Sequence, residues 1–373
     1  MSKDMIRLGD VATYVNGYAF KPEDRGNVGL PIIRIQDLTG HAYDLGFYDG
    51  EYPSKIEINN GDILISWSAS LGVYVWDKGK ALLNQHIFKV VFDKVDIDKK
   101  YFVYAVRRKL DEMVMKTHGA TMKHIVKKDF DETKIPYPTM EEQIEIAKKL
   151  DKVLYIIQKR KQELELLDDL IKARFVEMFG NPVLNDKGWE QKSLGEITTK
   201  IGSGATPKGG KEAYQEEGIT LIRSMNVHNG QFEYKDLAHI SDEQASKLDN
   251  VTIEEDDVLL NITGASVARS CVVPNEILPA RVNQHVCIIR CKDCIIPEFL
   301  NKLLIDDNYQ DLLWSIAGSG ATRESITKQQ VENLQIILPM LELQKEFMAF
   351  CHQVTKSKLL EFSSLQNHTG MLQ

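Results

Sequence analysis

The stretch NQHIFKVVF, residues 84–92, returns as NQHVCIIRC at residues 283–291. In both places a polar triplet leads into a short β-rich run bounded by turn residues, which reads as a strand. Further pairs flank it in the same order. RLGD (7–10) matches SLGE (193–196), IIRIQDL (32–38) matches LIRSMNV (221–227), and GDILISWSAS (61–70) matches DDVLLNITGA (256–265). Beyond it come HGATMKHI (118–125) with SGATRESI (319–326), then IPYPTMEEQ (135–143) with ILPMLELQ (337–344). The offset widens from 186 to 201, so the second copy carries small insertions in its middle. Collinear matches of this kind mark a tandem duplication.

At about 150 residues per domain, 373 residues accommodate two copies of one domain, each able to bury its own core. A chain that is 43% hydrophobic and 27% charged has globular composition. The start, MSKDMIRLGD, lacks the apolar segment of a secretory signal, and no run approaches the ~18 apolar residues of a membrane span; the expected location is cytoplasmic. Five cysteines without an export signal argue against a disulfide framework. Cys287, Cys291 and Cys294 suggest zinc, but there is no second Cys-x-x-Cys pair, and in the other copy these positions are Phe88, Phe92 and Val95. They read as core, with no metal.

Each copy combines strands such as LPIIRIQ, DILISWS and IFKVVF with a helix over 101–116, so the expected class is α+β. From Met140 the pattern changes, and nearly forty residues run to Phe179 without Pro or Gly. The spacing predicts one long helix, roughly 55 Å at 1.5 Å per residue, which is enough to hold two domains well apart. Leu150, Ile157, Leu164 and Ile171 recur every seven residues, with Val153 and Leu167 at alternate positions, which is the seam of a coiled coil. Gly180 and Pro182 end it. The segment after the second copy is a candidate antiparallel partner within the chain, although Lys358 and Glu361 weaken its heptads. The expected order is a first domain over 1–140, a central helix over 141–180, a linker over 181–189, a second domain over 190–340 and a C-terminal helix over 341–373.

These features together resemble the specificity subunits of type I restriction-modification systems. IPYPTMEEQIEIAKKLD at the first junction and FVEMFGNPVLNDKGWEQKSLGEI between helix and second domain carry the resemblance, which spans essentially the full length. It implies two tandem target-recognition domains with pseudo-twofold duplication, joined by paired helices, and a subunit with no catalysis of its own. Each domain would read one half of a split, asymmetric double-stranded DNA site. The implied partners are two methyltransferase subunits, which methylate adenine, and motor-nuclease subunits. S-adenosylmethionine, ATP and Mg would belong to those partners, and no cofactor to this chain. The net charge of −8 departs from what a DNA-holding protein suggests. Residues 1–140 carry 20 basic and 19 acidic side chains, whereas 188–340 carry 14 and 22, so the acid load sits in the second domain. Clusters such as EEDD (254–257) and IDD (305–307) then suggest faces turned away from DNA.

Enzyme motifs fail on inspection. GSGATPKGGKEA (202–213) has Ala205 and Glu212 where a phosphate loop needs Gly and Ser or Thr, and Pro207 breaks a dinucleotide fingerprint. Asn181-Pro182-Val183 is only a near miss to an adenine-methyltransferase loop, and Glu132-Thr133-Lys134 lacks the Pro-Asp partner of a nuclease core. The alternative from another class is a coiled-coil scaffold without a DNA role.

Reading bases requires surface side chains whose donors and acceptors match a groove edge. The candidates in the first domain are Arg34, Gln36, Ser68, Ser70, Lys123 and His124; in the second they are Lys208, Lys211, Arg223, Asn226, His228, Thr263, Arg269 and Arg323. Arg34 and Arg223 match between copies and so suit structure or phosphate. The unlike pairs Gln36/Met225 and Asp37/Asn226 suit specificity. Thr121 and Thr322, in the repeated GAT turns, fit either phosphate binding at free amides or plain helix caps. His86 and His285 read as hydrogen-bonded structural residues, with a nucleic-acid contact as the second reading.

Overall fold

The computed structural model describes residues 4–40, 44–68, 70–116, 126–206, 210, 214–318 and 324–370, with side chains at 112–116 and 360–370 left out of the description. The chain forms two compact units, Met1–Ile157 and Gln158–Met371. Their division falls inside the long helix and not at its ends, so the domain that sequence bounds at 140 also takes in the helix's first turns.

Unit 1 contains β1 (Met5–Arg7), α1 (Leu8–Val11), β2 (Thr13–Asn16), β3 (Leu30–Ile33), α2 (Ile35–Thr39), β4 (Phe47–Tyr48), β5 (Glu57–Ile58), β6 (Ile63–Ser66), β7 (Gly72–Val75), β8 (Ala81–Leu83), β9 (Ile87–Val91), α3 (Lys99–Lys116), α4 (Lys127–Glu132), β10 (Lys134–Pro136) and the start of α5 (Met140–Phe179). β2-β9-β6-β7 form one antiparallel sheet; β4-β3-β8-β5 form another, in which β3 and β8 run parallel. β1 pairs with β10, closing the unit at both ends of its sequence. The expected strand LPIIRIQ stops at Ile33, because Asp37 accepts the Arg34 amide and turns the chain into α2.

Unit 2 repeats this plan through β11 (Gln191–Ser193), β12 (Thr198–Ser203), β13 (Ile219–Ile222), β14 (Val227–His228), β15 (Gln231–Phe232), β16 (Ala238–Ile240), α6 (Asp242–Ser246), β17 (Val258–Asn261), β18 (Ser270–Val272), β19 (Ala280–Val282), β20 (Val286–Cys291), α7 (Pro297–Leu304), α8 (Asp307–Gly318), α9 (Lys328–Glu332), β21 (Gln335–Ile337) and α10 (Leu341–Gly370). The sheet β12-β20-β17-β18 matches β2-β9-β6-β7 strand for strand, β13 and β19 are parallel as β3 and β8 are, and β11 pairs with β21 as β1 does with β10. β14 and β15 form a small extra hairpin.

The continuous apolar character of the repeated stretch follows from this plan. In β20, Cys287 and Ile289 face one core, while Val286 and Ile288 face the other. β9 alternates likewise, with Phe88 and Val90 on one side and Ile87 on the other. A strand covered on both faces cannot show polar alternation.

Both long helices start in the same way. Gln143, 1% exposed, accepts the Asp98 amide at 2.9 Å and donates to the Pro138 carbonyl at 2.8 Å. Gln344, 0% exposed, accepts the Ile296 amide at 2.9 Å and donates to the carbonyls of Pro339 and Cys294 at 2.8 and 3.2 Å. Each amide ties a helix start to the segment that follows the central strand. Within unit 2 the end of α5 lies antiparallel to α10: Arg174 bonds Glu346 at 3.0 Å, and Asp168 receives Lys358 further along. Phe175, Phe179, Phe299 and Phe347 pack between them and α7, with ring centroids 5.0–6.3 Å apart. Gly180, at φ 74°, closes α5 as expected, and the Phe179 carbonyl accepts the Trp189 indole.

Replacing Gln344 by Leu would strand a buried amide and two carbonyls. The expected loss is about 1–3 kcal/mol, read as a lower urea midpoint with an unchanged slope.

Candidate nucleic-acid interface

In each unit the NQH turn draws neighbouring loops together. In unit 2 the Gly204 amide donates to the Asn283 carbonyl (3.1 Å), Ile262 to His285 (2.9 Å), Ile326 to Ile262 (2.8 Å) and Gly264 to Glu324 (2.9 Å). Segments 203–206, 261–269, 283–285 and 324–326 are thereby laced into one surface. A Cβ on Gly204 would lie 1.8 Å from the Val282 carbonyl oxygen, so only glycine lets the first segment lie over the end of β19. Unit 1 repeats the lacing. Gly17 donates to Ile87 (3.1 Å), Tyr18 to Leu83 (2.8 Å), Gln85 to Tyr18 (2.9 Å) and Trp67 to His86 (3.3 Å). A Cβ on Gly17 would meet the Asn84 carbonyl oxygen at 2.0 Å. The NQH triplet is the hinge of this surface: Asn283 Oδ1 accepts the His285 amide, and Asn84 Oδ1 accepts the Gln85 amide.

The candidate readers separate into distinct groups. Asn226 is fully buried; its Oδ1 accepts the Arg223 amide at 3.1 Å, and its Nδ2 donates to the carbonyls of Glu233 and Lys235. It has no atom left for a base, which corrects the expectation that it reads one. Arg34 and Arg223 are also committed internally. The first bonds Asp37 at 3.1 Å and the Asp44 carbonyl with 11% of its side chain exposed; the second donates to the Asp236 carbonyl and lies 5.5 Å from the Tyr214 ring. Each arginine pins the loop that follows its unit's β3 or β13, so the copies match for structural reasons.

Gln36 and Ser70 are exposed, and Ser68, His228, Thr263 and Arg269 are partly exposed. Thr263 and Arg269 stand on the laced surface, whereas Gln36 sits on α2 and His228 on β14. Among the described residues the Arg269 guanidinium makes no hydrogen bond or ion pair. Lys123, His124, Lys208, Lys211 and Arg323, with Thr121 and Thr322, lie outside the described residues. The acid clusters lie elsewhere: Glu254 and Asp257 precede β17, whose other end leads to Thr263, and Arg290 bonds both. Asp307 pairs with Lys172 at 2.8 Å.

Sequence reading passed over Gln284, Thr206, Tyr18 and Trp67. Gln284 accepts the Thr206 hydroxyl and approaches His285 Nε2 at 3.2 Å, while Thr263 Oγ1 lies 2.5 Å from His285 Nδ1. In unit 1 the Trp67 ring lies 5.0 Å from His86, and Tyr18, 45% exposed, occupies the place of Ala205. The signal was available in the glutamine of the NQH repeat. Burial pushes the thiols of Cys287 and Cys291 up to about 12, and among the described residues no cluster of His, Cys, Asp or Glu is placed to hold a metal ion. Of the seam residues, Ile171 is buried in the unit 2 core and Leu167 packs against it; Leu150, Val153, Ile157 and Leu164 are partly buried.

The family of Type I restriction modification DNA specificity domains matches residues 2–166 and again 186–366. The chain belongs to this family and is a specificity subunit of a type I restriction-modification system, with DNA sequence recognition as its role. Among its relatives, the type I restriction enzyme EcoBI specificity subunit of Escherichia coli is 25% identical across 94% of this chain and 78% of its own length. The MjaVIII specificity subunit of Methanocaldococcus jannaschii is 24% identical across 92% and 83%. The fold matches a chain from a structural study of complex assembly and conformational transition in the type I R-M system (TM-score 0.65, 17% identity, covering 100% and 96%). It also matches the S subunit of a Type-I system from M. genitalium (TM-score 0.56, 15% identity, covering 100% and 94%). No described helix is long and apolar enough to cross a membrane.

Asn226→Ala is expected to lower stability by about 1–3 kcal/mol, seen in thermal unfolding. Arg269→Ala should leave unfolding unchanged and weaken DNA binding by the assembled complex.

Proposed function

We propose that each unit reads one half of a bipartite, asymmetric site in double-stranded DNA through its laced surface. The carrying observation is one scaffold used twice with unlike side chains at matched exposed positions of that surface: Tyr18 against Ala205 and Ser70 against Ala265. A shared frame with different loop chemistry suits two different half-sites.

In this reading the chain performs no catalysis. Two methyltransferase subunits bind S-adenosylmethionine and methylate adenine in each half-site, and motor-nuclease subunits use ATP and Mg to translocate and cut, all in the cytoplasm. Failed nucleotide, methyltransferase and nuclease motifs support this division.

Exchanging residues 190–340 for the second domain of another specificity subunit should change one half of the methylated motif and keep the other, as read by methylome sequencing. A motif altered in both halves defeats independent reading. The purified chain alone should show no S-adenosylmethionine binding by calorimetry, and methyl transfer without partners would contradict the assignment.

A further inference from the structure

Four side chains on the unit 2 surface form a directional hydrogen-bond chain. The Thr206 hydroxyl donates to Gln284 Oε1, which leaves the Gln284 amide nitrogen facing His285 Nε2 at 3.2 Å. An amide NH2 can only donate, so Nε2 must present its lone pair, and a neutral imidazole then carries its hydrogen on Nδ1. Nδ1 lies 2.5 Å from Thr263 Oγ1, and in that tautomer it is the donor of the pair. Thr263 therefore accepts inward, and its own hydrogen is free to turn outward. The backbone fixes the same geometry, because Ile262 donates to the His285 carbonyl at 2.9 Å and Thr263 bridges to Ser325.

We propose that Thr263 donates this hydrogen to a phosphate oxygen of the DNA read by unit 2, with His285 as the positioning residue that sets the hydroxyl's direction. This rests on the reading of the laced surface as the DNA interface. Phosphate is favoured over a base edge because unit 1 keeps a hydroxyl, Ser68, and a histidine, His86, at the matching positions. Residues common to two units that read unlike sequences suit an acceptor present at every nucleotide. Unit 1 does not make the hydroxyl–imidazole bond, since His86 Nδ1 is buried there without a partner among the described residues. The proposal is accordingly confined to unit 2. Arg269, on the same loop and without an acidic partner among the described residues, adds a positive charge to that loop.

The test uses the assembled methyltransferase complex on a duplex carrying its methylome-defined motif, with wild-type methylation confirming the underlying reading first. Thr263→Val should weaken binding about ten-fold, the scale of one hydrogen bond to a charged group, with the same loss at every base variant of the site. His285→Leu should lose about as much, and the double variant no more than either. His285→Asn, whose amide nitrogen stands near the Nδ1 position, should restore most of the affinity, which a purely structural role would not require. One neutral methylphosphonate in the second half-site should weaken the wild type by clearly more than it weakens Thr263→Val, which keeps only the charge contribution of Arg269. The proposal is overturned if Thr263→Val binds like wild type, if its loss changes base preference at one position, or if His285→Asn is no better than His285→Leu. A wild-type complex that methylates no bipartite motif would instead defeat the reading of the interface.

Discussion

Each unit depends on a central strand buried on both faces. β9 and β20 separate two cores, with Ile87, Val286 and Ile288 held on one side and Phe88, Val90, Cys287 and Ile289 on the other, and a one-residue slip would exchange the two sets. That register fixes where the preceding NQH turn stands, and the turn in turn supplies the carbonyls that hold the neighbouring loops. Variation in those loops can then occur without loss of the frame. If each unit reads DNA by different side chains on one shared surface, as proposed, this separation of frame from surface is the central physical requirement.

The buried glutamines extend the frame to the helices. Gln143 and Gln344 each join a helix start to the segment that leaves the central strand, and each is almost wholly withdrawn from water. A buried amide with all its partners satisfied costs little, but it tolerates only one arrangement of three backbone segments. The angle at which each long helix leaves its own unit is set locally, before the helix meets any partner. In unit 2 the phenylalanine cluster then completes the junction with close apolar packing. Lys358 fits this picture: where the heptad lacks an apolar residue, it takes Asp168 of α5 as partner.

Much of the architecture was legible in the sequence because duplication shows itself without structural knowledge. The strands, the forty-residue helix and its glycine stop followed from periodicity and turn chemistry. The site was less legible, and Asn226 shows why. Asp37 and Asn226 differ between the copies, which suggested specificity, yet both use a carboxyl or amide oxygen to accept the amide of the arginine three residues earlier. The residue type changed while the atom that matters did not. Arg34 and Arg223 were ambiguous for a related reason. A guanidinium suits a guanine edge and a loop carbonyl equally well, and only the position of Asp44 or Asp236, 10 and 13 residues further on, decides between them.

The histidines illustrate the opposite difficulty. Their repetition suggested structure, and the lacing gives them one, but a structural hydrogen bond also fixes which hydrogen its partner has left to offer. Thr263 is exposed enough to be reached and bonded enough to be directed, a combination that neither composition nor spacing can express. In a reading domain, then, a contact surface and its supporting layer are not separate residue classes. In the proposed reading the unlike loops supply the chemical variety, and the shared turn beneath them decides the direction in which that variety would be presented to the DNA.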